Sequence, residues 1–206
     1  MKGLLLLSGG IDSPVAGILA GKKAEITALH FSSEKITGKQ AKEKAEKLAE
    51  LIKAKAFFSV DFSEELEKIV NSTERKFYFI LMKRLMLKTA EKICEKNNFD
   101  FILTGENLGQ VSSQTLDNLV SISFDVKKPI IRPLLSFDKQ EIVDLAKNYG
   151  TYELSIGKET CDALGPNKPA TRSIKEKVLV EEKKAGFQEL VEKLVSDFQK
   201  QLKTQK

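Results

Sequence analysis

The residues best suited to chemistry lie near the start of the chain, where Leu4-Leu5-Leu6-Leu7 run straight into Ser8-Gly9-Gly10-Ile11-Asp12-Ser13. A glycine pair lets the backbone approach an anion and turn its N–H groups toward it, and a helix starting at the next residues adds its positive end. The Ser8 and Ser13 hydroxyls can donate to phosphate oxygens, while Asp12 can hold a magnesium ion or order its waters. No Gly-Lys-Ser/Thr follows, which excludes a Walker loop, and no third glycine completes a dinucleotide fingerprint.

Other candidates are spread along the chain. Gly105 ends an apolar stretch and opens a helix, so its N–H faces the same end of the sheet. Gln110 and Gln114 are four apart and share one helix face, where an amide can read a base or ribose. Lys139 falls in the first turn of a helix, an awkward place for a cation unless an anion occupies the same spot. Cys161, in Glu159-Thr160-Cys161-Asp162, lies in a loop containing Gly and Pro that suits thiol exchange. Cys94 shares a helix face with Leu87 and Ala90 and reads as a small core residue. His30, the one histidine, reads by itself as structural.

Those residues need a scaffold. Residues 3–7, 26–31, 56–62 and 100–104 are short, nearly continuous apolar runs, as expected of strands in a parallel sheet covered on both faces. Between them, 13–22, 39–53 and roughly 64–97 read as helices, with 77–87 apolar on most sides and therefore buried. The alternation predicts an α/β, doubly wound, mainly parallel sheet, whose ligands bind beyond the carboxyl ends of the strands, after residues 7, 31 and 104. Past residue 130 a loop is expected, then a helix opened by the capping box of Asp138 and Glu141. Residues 155–172 read as a long loop. The expected organisation is a domain over 1–172, with 173–206 as a helical tail, broken near Gly186, packed on it.

Composition narrows the class. The 206 residues hold 34 Lys and Arg against 29 Asp and Glu, a net charge of +5, with 41% hydrophobic residues, 12 Gly and 5 Pro. This is a chain able to bury a core, neither collagen-like nor compositionally disordered. Two cysteines cannot build a disulfide framework, and the early apolar run is too short for a signal peptide or a membrane span, so a cytoplasmic protein is expected. Residues 35–55 carry seven Lys and three Glu, and 75–96 carry seven Lys and Arg and two Glu. Such stretches are either solvated helix faces or a footprint for a phosphate backbone.

Ser8-Gly9-Gly10-Ile11-Asp12-Ser13 resembles the loop of the PP-loop ATP pyrophosphatases, which cleave ATP between its α and β phosphates. A narrower resemblance runs from about residue 3 to 175. It rests on Leu103-Thr104-Gly105-Glu106-Asn107-Leu108-Gly109-Gln110 with Gln114-Thr115, on Arg132-Pro133-Leu134 with Asp138-Lys139, and on Pro169-Ala170-Thr171-Arg172. Together these resemble the catalytic domain of tRNA 4-thiouridine synthetases, or tRNA sulfurtransferases. The resemblance implies MgATP held by the backbone at Leu6-Leu7 and His30-Phe31 and by Ser8, Gly9, Gly10, Ser13, Lys83, Gly105 and Gln114. It further implies Lys139 as the essential lysine, Arg132 and Gln110 toward the substrate, and Cys161 near the family's resolving cysteine. The implied partners are tRNA and an outside persulfide donor. The family's amino-terminal THUMP module and its rhodanese-like domain are not expected here, so activity on tRNA would need a separate tRNA-binding subunit, a different docking surface, or a substrate other than tRNA. A homodimer and a role in thiamine biosynthesis are left open. The alternatives are another adenylating PP-loop enzyme, such as an amidating ligase, and a nucleotide-binding partner subunit.

Overall fold

The computed structural model describes residues 1–108, 115–156 and 164–204. Five parallel strands, β1 (Lys2–Leu6), β2 (Glu25–Ser32), β3 (Phe57–Asp61), β4 (Phe101–Leu103) and β5 (Ile130–Ile131), form one sheet in the order β3-β2-β1-β4-β5. The helices are α1 (Asp12–Gly21), α2 (Glu34–Thr37), α3 (Gln40–Leu51), α4 (Ser63–Ser72), α5 (Tyr78–Asn97), α6 (Leu116–Ser123), α7 (Lys139–Asn148), α8 (Tyr152–Ser155), α9 (Lys175–Ala185) and α10 (Phe187–Thr204). The chain steps outward from β1 to β3 and then returns to β4, so the winding reverses beside β1. An open parallel sheet leaves a ligand crevice at such a reversal, beyond the carboxyl ends of its strands.

Strand geometry explains the apolar runs. Leu4 and Leu6 join Leu29, Phe31, Phe58, Val60 and Ile102 on one face, under α4, α5, α6, α9 and α10. Leu5 and Leu7 join Ile26, Ala28, Phe101 and Leu103 on the other, under α3. Successive side chains point to opposite faces, and both faces are covered, so each residue of the run is buried in turn. Burying one such leucine fully is worth about 1.5 to 3 kcal/mol. A third cluster packs Val15 and Ala16 of α1 against Ile142 and Ala146 of α7, with Leu134.

The structure corrects two expectations about the elements. The single helix expected over roughly 64–97 is two, separated at Thr73 and Glu74, whose backbones are extended, and by a 3-10 turn at Arg75–Phe77. The Ser72 and Thr73 hydroxyls donate to the carbonyls of Lys68 and Ile69 at 2.6 and 2.7 Å, and the Glu74 N–H donates to Glu181 at 2.7 Å. The hydroxyls bond back to carbonyls already within the last turn, and the Glu74 N–H, which a continuing helix would give to the Val70 carbonyl, goes to Glu181 instead. The loop expected past residue 130 begins instead as β5, a two-residue edge strand held by Ile102 N–H to Pro129 O at 2.9 Å and Thr104 N–H to Ile131 O at 3.1 Å.

Both halves of the Asp138 and Glu141 capping box are made, at 2.8 and 2.7 Å. Gly186, at φ 65°, separates α9 from α10. α10 lies along β3 and α5, with the Phe198 ring 4.7 Å from that of Phe58. The fully buried Arg84 of α5 donates to Glu182 of α9 at 2.6 Å and to Asp125 and the Ser121 carbonyl at 3.0 and 2.7 Å. Among the described residues no helix is long and apolar enough to cross a membrane.

Candidate functional site

The turn between β1 and α1 is closed by its own serines. The Ser8 N–H donates to Ser13 Oγ at 2.9 Å, the two hydroxyls share a hydrogen bond of 3.0 Å, and the Gly10 N–H donates to Ser8 Oγ at 3.2 Å. Ile11 occupies the N-cap of α1, and no side chain caps the helix. The first turn of α1 therefore presents N–H groups and a positive dipole end toward the crevice, with Ser13 buried beneath it.

α7 brings Lys139 to this turn. Lys139 Nζ donates to Asp12 Oδ1 at 2.7 Å, so the cation at the start of α7 meets the first residue of α1. The carboxylate itself supplies the anion that a first-turn lysine calls for. Asp12 and the Ser8 and Ser13 hydroxyls form an oxygen-only donor set with one carboxylate, which fits magnesium bound mainly by phosphates and water.

Gly105 closes the site from β4. A Cβ built on it would stand 2.5 Å from Ser13 N and 2.7 Å from Asp12 C and Ser13 Cα, so only glycine lets the strand end lie against the turn. The expectation that Gly105 opens a helix is corrected: residues 104–107 are irregular. Two residues assigned no role in the sequence organise that segment. Asn107 donates through Nδ2 to the Leu134 carbonyl at 2.8 Å and also to that of Phe137, tying it to the approach to α7. Glu106, nine-tenths buried, accepts from Lys83 Nζ at 3.1 Å and Arg132 Nε at 2.8 Å. Their only prior signal was membership of the Gly105-Glu106-Asn107 run. Lys83 and Arg132 thus meet on one carboxylate, and Arg132 Nη2 is buried without a hydrogen-bond partner among the described residues.

The strand ends complete the crevice. Leu6, Leu7 and Phe31 bury their side chains in the core and leave the backbone at the strand ends. His30 does more than offer backbone: its Nδ1 lies 2.9 Å from the Leu7 carbonyl. Burial pulls the ring below the ordinary histidine range, only partly offset by that bond, so His30 is neutral with Nδ1 protonated and donating. Gln110, Gln114 and Cys161 lie outside the described residues.

The family model described as thiamine biosynthesis protein (ThiI) matches residues 1–187. The chain belongs to the ThiI family. A "Probable tRNA sulfurtransferase" of Oceanobacillus iheyensis is 38% identical over 202 residues, covering 95% of this chain and 50% of that protein. A crystal structure of a 4-thiouridine synthetase–RNA complex with bound ATP is similar at TM-score 0.89 and 38% identity, covering 95% of this chain and 53% of that one. The NMN synthetase of Francisella tularensis, at TM-score 0.61 and 19% identity over 95% of this chain and 83% of that one, shares the fold alone. The chain spans about half the length of the curated relatives it matches.

In this ThiI-family chain several cations of the second lysine-rich stretch are paired with carboxylates. Within 75–96, Arg84 is fully buried, Lys83 turns to Glu106, and Lys88 and Lys92 pair with Asp125 and Glu192. Cys94 is a core residue with no exposure, and burial pushes its thiol up to about 12, so it is inert at neutral pH.

Glu106 makes a signed prediction. Burial alone would raise its carboxyl, but Lys83 and Arg132 outweigh it and hold it below the usual glutamate range. A depressed carboxyl contributes its full stability above its unfolded value of about 4.3 and loses it as the pH falls through the folded value. Glu106→Gln should therefore be less stable than the parent by about 3 kcal/mol near neutrality, because two half-buried cations lose their buried counter-charge. The gap should shrink as the pH falls from the unfolded value through the folded one. Urea midpoints of the two proteins at neutral pH and through an acid series check this, and a gap that widens in acid contradicts the pairing.

Proposed function

We propose that this chain is the catalytic unit of an ATP-dependent tRNA sulfurtransferase that makes 4-thiouridine. The observation that carries the reading is the meeting of Asp12 and Lys139, 2.7 Å apart, at the amino end of α1 that no side chain caps. ATP lies with its terminal phosphates on Ser8, Gly9, Gly10 and Ser13, and with its adenosine toward the backbone of Leu6, Leu7, His30 and Phe31. Gly105 and Gln114 complete the nucleotide contacts. The similarity to an ATP-bound 4-thiouridine synthetase supports this nucleotide. Magnesium, held with Asp12, would neutralise phosphate charge.

The uridine O4 attacks the α-phosphorus, an O–P bond forms, and the bond to pyrophosphate breaks. Lys139 stands where charge develops at the α-phosphate, the placement by which fixed cations favour a transition state. On this reading Lys83, paired with Glu106, serves the nucleotide, while Arg132, paired with the same carboxylate, and Gln110 serve the substrate. Persulfide sulfur then attacks C4 and AMP leaves with the former O4, so C4 is joined to the donor through an S–S bond. The Cys161 thiolate attacks the donor's sulfur, that S–S bond breaks, 4-thiouridine leaves and a Cys161–donor disulfide forms, which an added thiol reductant must reduce before the next turnover. tRNA and an outside persulfide donor are the partners of this reading.

The test is an assay of the full chain with unmodified tRNA, MgATP and a persulfide donor, reading pyrophosphate, AMP and 4-thiouridine. Cys161→Ser should keep ATP-dependent pyrophosphate release and lose multiple turnovers of thiolated product, while Cys94→Ser should keep both. The reverse pattern removes Cys161 from the mechanism. AMP formation that needs ammonia and ignores persulfide would identify an amidating enzyme instead.

A further inference from the structure

The turn over Ser8–Ser13 contains no cation of its own. Lys139 is spent on Asp12 at 2.7 Å, and Lys83 and Arg132 converge on Glu106 at 3.1 and 2.8 Å. A triphosphate or a departing pyrophosphate carries several negative charges that these groups, already paired, only partly offset. Among the described residues a further lysine lies against the turn, and no sequence motif marks it. Lys44, on α3, lays its aliphatic stem across Gly9: a Cβ built there would meet Lys44 Cδ at 3.3 Å and Cε at 3.6 Å. The missing side chain of Gly9 is the space that the stem occupies.

The Lys44 ammonium, one bond beyond Cε, donates to the Ser155 carbonyl at 2.6 Å. That partner is neutral, so a phosphate oxygen adds a charge–charge attraction that the carbonyl does not offer. Ser155, at the end of α8, is 2% exposed, and its Oγ is buried without a hydrogen-bond partner among the described residues. A cation on a replaceable acceptor thus stands beside Gly9 of the turn. Within the stretch 35–55, Lys35 and Lys42 pair with Glu64 and Glu34, whereas Lys44 turns inward to Ser155.

We propose that Lys44 is the cation that binds the β and γ phosphates of the nucleotide and holds the pyrophosphate product on the turn, exchanging the Ser155 carbonyl for phosphate oxygen. The proposal rests on the reading of the turn as an ATP pyrophosphatase loop, and it adds a residue from α3 to a loop that lacks a lysine. It assigns Lys44 to the terminal phosphates and not to the adenosine monophosphate end.

The experiment titrates the full chain with inorganic pyrophosphate and, separately, with AMP, both with magnesium present, for the parent, Lys44→Gln and Lys44→Arg. Glutamine keeps a donor for the Ser155 carbonyl but removes the charge, so it separates a structural strap from an anion site. Lys44→Gln should lose at least about tenfold in pyrophosphate affinity, the scale of one charge-assisted contact, while AMP affinity stays within about twofold. Lys44→Arg should recover most of the loss. Pyrophosphate affinity unchanged in Lys44→Gln, or equal losses for pyrophosphate and AMP, overturns the assignment of Lys44 while leaving the loop reading intact. A parent chain that binds neither ATP nor pyrophosphate overturns both.

Discussion

Replacing Asp12 by asparagine should leave a folded chain that releases pyrophosphate at least about a hundredfold more slowly, the usual scale for losing one preorganised electrostatic group at a reacting centre. The two consequences separate because the Asp12–Lys139 pair is half open to solvent on the lysine side. An ion pair so exposed contributes only about 0 to 1 kcal/mol to stability, so the melting temperature should move by no more than a few degrees. Asparagine keeps the shape and one acceptor oxygen but loses the charge that orients Lys139 and suits magnesium. Pyrophosphate release within tenfold of the parent, by a folded Asp12→Asn protein, would sink the assignment of Asp12. A protein that fails to fold would show that the pair is structural, contrary to its exposure.

Gly105→Ala should damage both stability and nucleotide binding. The added methyl would stand 2.5 Å from Ser13 N and 2.7 Å from the carbonyl carbon of Asp12. Both obstacles are backbone at the start of α1, which cannot swing aside as a side chain does. Overpacking of this kind costs about 1 to 3 kcal/mol, and here the relief must come from pushing β4 away from the turn. The expected result is a melting temperature lowered by several degrees and an ATP affinity lowered at least about tenfold. Gly21→Ala is the control. Gly21 ends α1 with nothing within 4 Å of an added Cβ, so alanine should be neutral or stabilise by up to about 1 kcal/mol. If Gly105→Ala behaves like Gly21→Ala, the close approach of β4 to the turn does not position the site.

Features that depend on neighbours in sequence were legible without a fold. The turn Ser8–Ser13 has its meaning in the order strand, glycines, helix, and the capping box of Asp138 and Glu141 joins residues three apart. The apolar strands were legible because burial on both faces removes polar alternation, and Cys94 because its helical neighbours are apolar. The break at Thr73 was missed because apolar periodicity continues across it, while the Glu74 N–H is taken by the distant Glu181. β5 was missed because two residues make no pattern.

The sequence by itself therefore determined that the chain would build a parallel sheet with a glycine turn into a helix at the end of its first strand, because those properties follow from local spacing. Only the tertiary structure decided which charges meet there. Asp12 and Lys139 are 127 residues apart, Lys44 and Ser155 are 111 apart, and Glu106 reaches back to Lys83 and forward to Arg132. No local propensity encodes such pairs. They exist because the packing of α1 against α7, of α3 against α8, and of β4 between β1 and β5 brings the ends of separate elements to one crevice, where opposite charges taken from water must find each other.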